Sequence, residues 1–140
     1  GIVDVISLRP SFGPAHEFEA ETCAALGLNL RNTPLTAREA PRVVALIALL
    51  DALDTVQLPA LVHCKSGADR TGLVAAIWAI YKEGRPVEEA RRGLSIRHIH
   101  LRWSKTGVLD RFLEAYAARV QQGPIPFRTW VETEYDPETL

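Results

Sequence analysis

Short β-branched runs alternate with stretches of helical period along the chain. Val3 to Leu8 (Val-Asp-Val-Ile-Ser-Leu) ends at Arg9-Pro10 and reads as a strand. Ala15 to Leu26 is rich in helix formers and stops at Gly27, a natural C-cap. Leu28 to Leu30 reads as a second short strand, followed by a polar loop from Asn32 to Glu39. From Ala40 to Leu53 the apolar residues Val43, Leu46, Ile47, Leu50 and Leu53 recur at i, i+3, i+4 and i+7, which predicts an amphipathic helix. Pro59 to His63 is a brief buried strand, and Thr71 to Glu83 is a helix closed by Gly84. Pro86 to Leu94 forms another helix, with Pro86 in its first turn and Glu88 and Glu89 at its electropositive end. Ser104 to Val120 is a last helix, weakened by Gly107. Gly123 to Leu140 reads as a Pro-interrupted tail carrying Trp130 and Tyr135, and its packing partner, its own body or another molecule, is open at this level.

Strands alternating with helices predict an α/β fold, a central mostly parallel sheet flanked by helices. The chain divides into one domain over residues 1–122 and the tail over 123–140. A chain of 140 residues buries roughly two-thirds of its unfolded surface. In such sheets ligands sit beyond the carboxyl ends of the strands, and the strand ending at His63 delivers Cys64 to that place.

Composition narrows the function. Hydrophobic content of 47% and charged content of 24% are those of a globular domain. A net charge of −1 gives no field that would gather nucleic acid or an anionic membrane, so anion recognition must be local. The longest apolar stretch, Val43 to Leu50, is far short of a bilayer span. No signal peptide opens the chain; Gly1 abuts a strand, so the N-terminal part is expected to be truncated, and an upstream targeting segment stays open. Two cysteines, Cys23 and Cys64, do not make an oxidised scaffold, and the cytoplasm is the expected compartment.

The segment His63-Cys64-Lys65-Ser66-Gly67-Ala68-Asp69-Arg70-Thr71-Gly72 joins a strand to a helix. Such a loop turns successive backbone N–H groups inward as a nest for an anion, with Gly67 permitting the torsions. The following helix aims its free N–H groups at the same point, and Arg70 adds a planar fork suited to two phosphate oxygens. Cys64 then lies below the phosphorus. For a thiolate near neutrality its pKa must fall from about 8.5 toward about 5. At about 1.4 kcal/mol per unit this is roughly 5 kcal/mol. A helix terminus contributes about 0.3–1 kcal/mol, rising to about 2 when partly buried. Hydrogen bonds to a charged group, about 1.5–3 kcal/mol each, must supply the rest. Thr71 offers one such hydroxyl and can steady the thiolate as it leaves.

These ten residues resemble the signature of the protein tyrosine phosphatase superfamily, His-Cys-x5-Arg-Ser/Thr, in its compact dual-specificity branch. The likeness extends more loosely from Val3 to Tyr116, with Val-Ile-Ser-Leu-Arg and Leu-Ser-Ile-Arg similar to small bacterial members. The resemblance implies Cys64 as nucleophile, Arg70 as phosphate clamp and Lys65, Ser66, Gly67, Ala68, Asp69 and Arg70 as the amide cradle. It implies phosphomonoester hydrolysis through a phosphocysteine, with no metal and no cofactor. The plain alternative is a buried structural thiol beside a surface cation.

The family's leaving-group acid is an Asp from an upstream loop, and the corresponding Asn32 to Glu39 holds no Asp. Glu39 and Asp69 are the two candidates, and Asp69 is preferred because an acid before the Arg resembles the myotubularin-like and bacterial lipid-phosphatase-like branches. Structural roles compete, a loop-tying carboxylate for Asp69 and a helix N-terminal acid for Glu39. Asp51 and Asp54 fall at the end of a helix, where a solvated face is expected.

Of the remaining residues, His63 can brace the nucleophile through hydrogen bonds, with its ring directed away from Cys64. Cys23 reads as a core thiol, with a protective disulfide to Cys64 as the alternative. His98 and His100 lack a further ligand set, and Arg102 and Lys105 read as solvated cations. Phosphorylated protein leads as the substrate. Phosphoinositides or inositol phosphates, which Lys65 would suit, are the enzymatic rival; a phosphate-binding pseudophosphatase is the rival of another class.

Overall fold

The computed structural model describes residues 1–65, 69–97 and 107–140. Its sheet consists of β1 (Asp4–Ser7), β2 (Asn29–Asn32) and β3 (Ala60–His63), all parallel, in the order β2-β1-β3. The helices are α1 (Pro14–Leu26), α2 (Val43–Thr55), α3 (Asp69–Tyr81), α4 (Val87–Arg97), α5 (Gly107–Gln121) and α6 (Phe127–Thr133), with a 3-10 turn at Pro137–Thr139. The parallel sheet flanked by helices is the expected class.

The elements follow local chemistry. α1 opens with Pro14 in its first turn and closes on Gly27, whose φ of 69° is left-handed. α2 begins at Val43, not Ala40, because Pro41 biases Ala40 toward extended backbone and Arg42 is itself extended. β2 runs two residues beyond Leu30, so the loop before α2 starts at Thr33. α3 takes in Asp69 and Arg70 ahead of Thr71, the acidic Asp69 suiting the positive end of the helix. It ends at Tyr81, and Gly84 at φ 65° completes the turn out of it. α4 extends to Arg97, past Leu94. Gly107 stands at the start of α5 among the described residues, where a glycine weakens a helix least.

Alternation along β1 assigns the two faces of the sheet. Ile6 and its partner Val62 face α2 and α3, lining a small cavity with Leu53, Val56 and Trp78. Val5 and Ser7 share the other face with Leu61 and His63, and α1 covers it. Asp4 is fully buried on the α2 face, where it accepts from Asn29 Nδ2 at 2.8 Å, Arg31 Nε at 3.1 Å and the Gln57 N–H at 2.9 Å. Arg31 reaches on to the Thr55 hydroxyl and carbonyl, placing a cation on the last turn of α2.

Residues 123–140 pack on the chain's own body. Phe127, Trp130, Val131 and Tyr135 are buried in the main core with Phe112 and Tyr116 of α5. Their rings meet at 5.0–6.1 Å between centroids, several edge to face. The expected tail is thus a helix and a turn, in which Pro126 precedes α6 as its N-cap instead of interrupting it.

Candidate active site

The three strands end level. Ser7 stands in register between Asn32 and His63, and backbone bonds continue past the ends, from Leu8 N–H to His63 O and from Thr33 N–H to Ser7 O. Cys64 follows directly on β3 and is buried, with 7% of its surface exposed. Asp69, Arg70 and Thr71 occupy the first turn of α3. The strand-loop-helix context expected for the nucleophile is therefore present, while Ser66, Gly67 and Ala68 lie outside the described residues, as do His98, His100, Arg102, Lys105 and Ser104. Lys65 is exposed beside Cys64.

Arg70 turns inward. Its Nη1 donates to the carbonyl of Leu35 at 3.2 Å and lies 3.4 Å from that of Leu8, the segments that leave β2 and β1. Arg70 also lines an open cavity of about 610 Å³ with Pro10, Phe12, Pro34, Thr36 and Glu39. Glu39 is exposed on its rim, its N–H bonded to Thr36 Oγ1 at 3.1 Å. Asp69 is half-buried in the helix turn. The hydroxyl of Thr71 is buried and has no partner among the described residues.

The ring of His63 spans two acceptors. Its Nε2 pairs with Glu19 Oε1 of α1, and its Nδ1 lies 3.3 Å from the carbonyl oxygen of Cys64. Glu19 has no place in the sequence reading, which marked Cys23 alone as inward on α1. The helix in fact turns Cys23 and Glu19 inward and leaves Phe18 and Leu26 at 72% and 67% exposure. The i, i+4 spacing of Glu19 and Cys23 is the one signal that could have marked the pair. Cys23 is buried, and burial together with the charge of Glu19 pushes its thiol up. Cys23 and Cys64 are not joined in a disulfide.

Asp51 and Asp54 belong to a different face. Arg128 of α6 meets Asp51 at 2.7 Å and Asp54 at 3.3 Å, and Asp54 also accepts from Tyr81 at 2.7 Å and Lys82 at 3.0 Å. They are half-exposed clips between helices.

Residues 19–80 match the tyrosine phosphatase family. Over that stretch the chain resembles protein tyrosine phosphatases. No curated protein matches it. Among solved structures it resembles kinase associated phosphatase at 17% identity and a TM-score of 0.64, covering 89% of this chain and 73% of that one. Tk-PTP is similar at 20% identity and a TM-score of 0.58, over 87% of this chain and 81% of that one. TpbA of P. aeruginosa, solved in complex with pTyr, is similar at 17% identity and a TM-score of 0.58, over 87% and 75% respectively. At these identities the phosphatase likeness is one of fold. No described helix is long and apolar enough to cross a membrane.

Proposed function

We propose that this chain hydrolyses phosphomonoesters through a phosphocysteine on Cys64, acting as a dual-specificity-like protein phosphatase. The observation that carries the reading is the inward Arg70, fastened to Leu8 and Leu35 and lining a cavity beside the strand ends that Cys64 follows. A guanidinium oriented this way binds two phosphoryl oxygens at little entropic cost.

In the first step the Cys64 thiolate attacks phosphorus, the ester P–O bond breaks, and the leaving oxygen takes a proton from a carboxylic acid. In the second, water attacks the phosphocysteine, the same carboxylate accepts its proton, and the S–P bond breaks to release phosphate. The Thr71 hydroxyl, without a partner among the described residues, suits donation to the departing thiolate. The backbone N–H groups of residues 65–70 stabilise the equatorial oxygens in both steps.

Phosphorylated protein is the substrate class, with phosphotyrosine the leading ester. The cavity walls include Pro10, Phe12 and Pro34, surfaces suited to an aryl ring, and TpbA of similar fold was solved in complex with pTyr. Two cysteines without a disulfide between them suit a reducing compartment such as the cytoplasm. A phosphate-release panel of phosphopeptides, phosphoinositides and inositol phosphates tests the reading, with Cys64→Ser as the blank. Release from phosphopeptides, absent in Cys64→Ser, is expected. A wild-type protein that binds phosphate but turns over no activated aryl phosphate overturns it in favour of a binding module.

A further inference from the structure

Building on the phosphatase reading, we propose that Glu19 is a positioning residue for Cys64, acting through His63. His63 closes β3, and its two ring nitrogens face two oxygens, Glu19 Oε1 and the Cys64 carbonyl. Glu19, 18% exposed, fixes the ring from the α1 side and so holds Nδ1 against the Cys64 carbonyl.

The second contact has a directional consequence. The Cys64 carbonyl belongs to the peptide unit whose other end is the N–H of Lys65, and in a trans peptide the two point in opposite directions. Holding the carbonyl toward His63 directs the Lys65 N–H away from it, toward the side where the amide cradle must begin. A first donor oriented toward the sulfur favours the thiolate.

Among the described residues the groups around this pair are few. α1 contributes Glu19, with Cys23 one turn later and His16 one turn earlier. Across the sheet, Ser7 of β1 and Asn32 of β2 are uncharged and stand in register with His63. Along the chain the next titratable groups are Cys64 and Lys65.

The test is made in a Cys23→Ser background, so that alkylation by iodoacetamide reports Cys64 alone. Alkylation rate against pH is followed together with kcat and KM on p-nitrophenyl phosphate. Glu19→Gln, nearly isosteric, is expected to raise the alkylation midpoint by about one pH unit, which leaves roughly tenfold less thiolate on its acid side. kcat should fall about tenfold below the midpoint with KM within about twofold, and Glu19→Asp should recover part of the loss. His63→Asn should raise the midpoint similarly and add little to Glu19→Gln. A Glu19→Gln protein that titrates like its parent, whatever its Tm, overturns the proposal. If that variant does not fold, His63→Asn decides by the same readout. Because alkylation needs no turnover, a midpoint that responds to Glu19 in a protein without phosphatase activity would sink the phosphatase reading and spare this one.

Discussion

The hydroxyl of Tyr135 donates to the carbonyl of Pro41 across 2.8 Å in a buried setting, tying the end of the chain to the turn that leads into α2. The ring also packs edge-on against Phe112 at 5.0 Å. The bond joins residues 94 positions apart in sequence and ties the C-terminal segment to the segment that carries Leu35 and Glu39.

Tyr135→Phe keeps the ring and leaves a buried carbonyl without its donor, so it should cost about 1–2 kcal/mol. Urea unfolding should show a lower midpoint at unchanged slope. There is a pH signature as well. Burial, then the charge of Asp136, raises the folded phenol above its ordinary range. Above about pH 10 the unfolded chain loses this proton first, so stability falls as pH rises. The alkaline slope should be shallower in Tyr135→Phe.

Asp4 gives the opposite dependence. The Gln57 N–H first, then Asn29 and Arg31, hold its carboxyl below the usual range. Its contribution is complete above the unfolded value of about 3.9 and is lost as pH falls through the lower folded value. Asp4→Asn should flatten the acid limb of the stability profile. It also leaves Arg31 without its carboxylate, and a Tm lowered by more than about 5 °C is expected by calorimetry.

Arg70→Lys retains charge but loses the planar fork and the reach to Leu35. On p-nitrophenyl phosphate kcat/KM should drop by at least about a hundredfold. A drop below tenfold would show that the guanidinium does not touch the transferring group.

The leaving-group acid has two candidates. The sequence pattern ranks Asp69 above Glu39, while the cavity favours Glu39, which shares its walls with Arg70. On an alkyl phosphate, a poor leaving group, Glu39→Gln should slow the rate by about ten- to a hundredfold and Asp69→Asn by less. On an activated aryl phosphate both should stay near wild type. The reverse order on the alkyl ester would return the role to Asp69.

Much of this was readable from residue order. Val3 to Leu8, Pro59 to His63 and the glycines at 27 and 84 carry strong local signals, and tertiary packing agrees with them. The setting of Cys64 was legible because the strand before it and the helix after it each declare themselves by composition. The C-terminal helix was not, because seven residues after Pro126 hold too little periodicity; their order comes from ring packing on α5. Glu19 was hidden for a related reason. The apolar Phe18 and Leu26 point outward on α1, so hydrophobic pattern misreports which side faces the sheet.

The middle position of β1 bears on how the protein assembles. Asp4 to Ser7 bond to β2 on one side and to β3, across the whole span of α1 and α2, on the other. No local hairpin can place Cys64; its setting exists only once the long loop between β1 and β3 has closed, a slow and entropically costly event. On the proposed mechanism a nascent or damaged chain therefore holds an ordinary thiol, and the reactive one arrives together with the native topology.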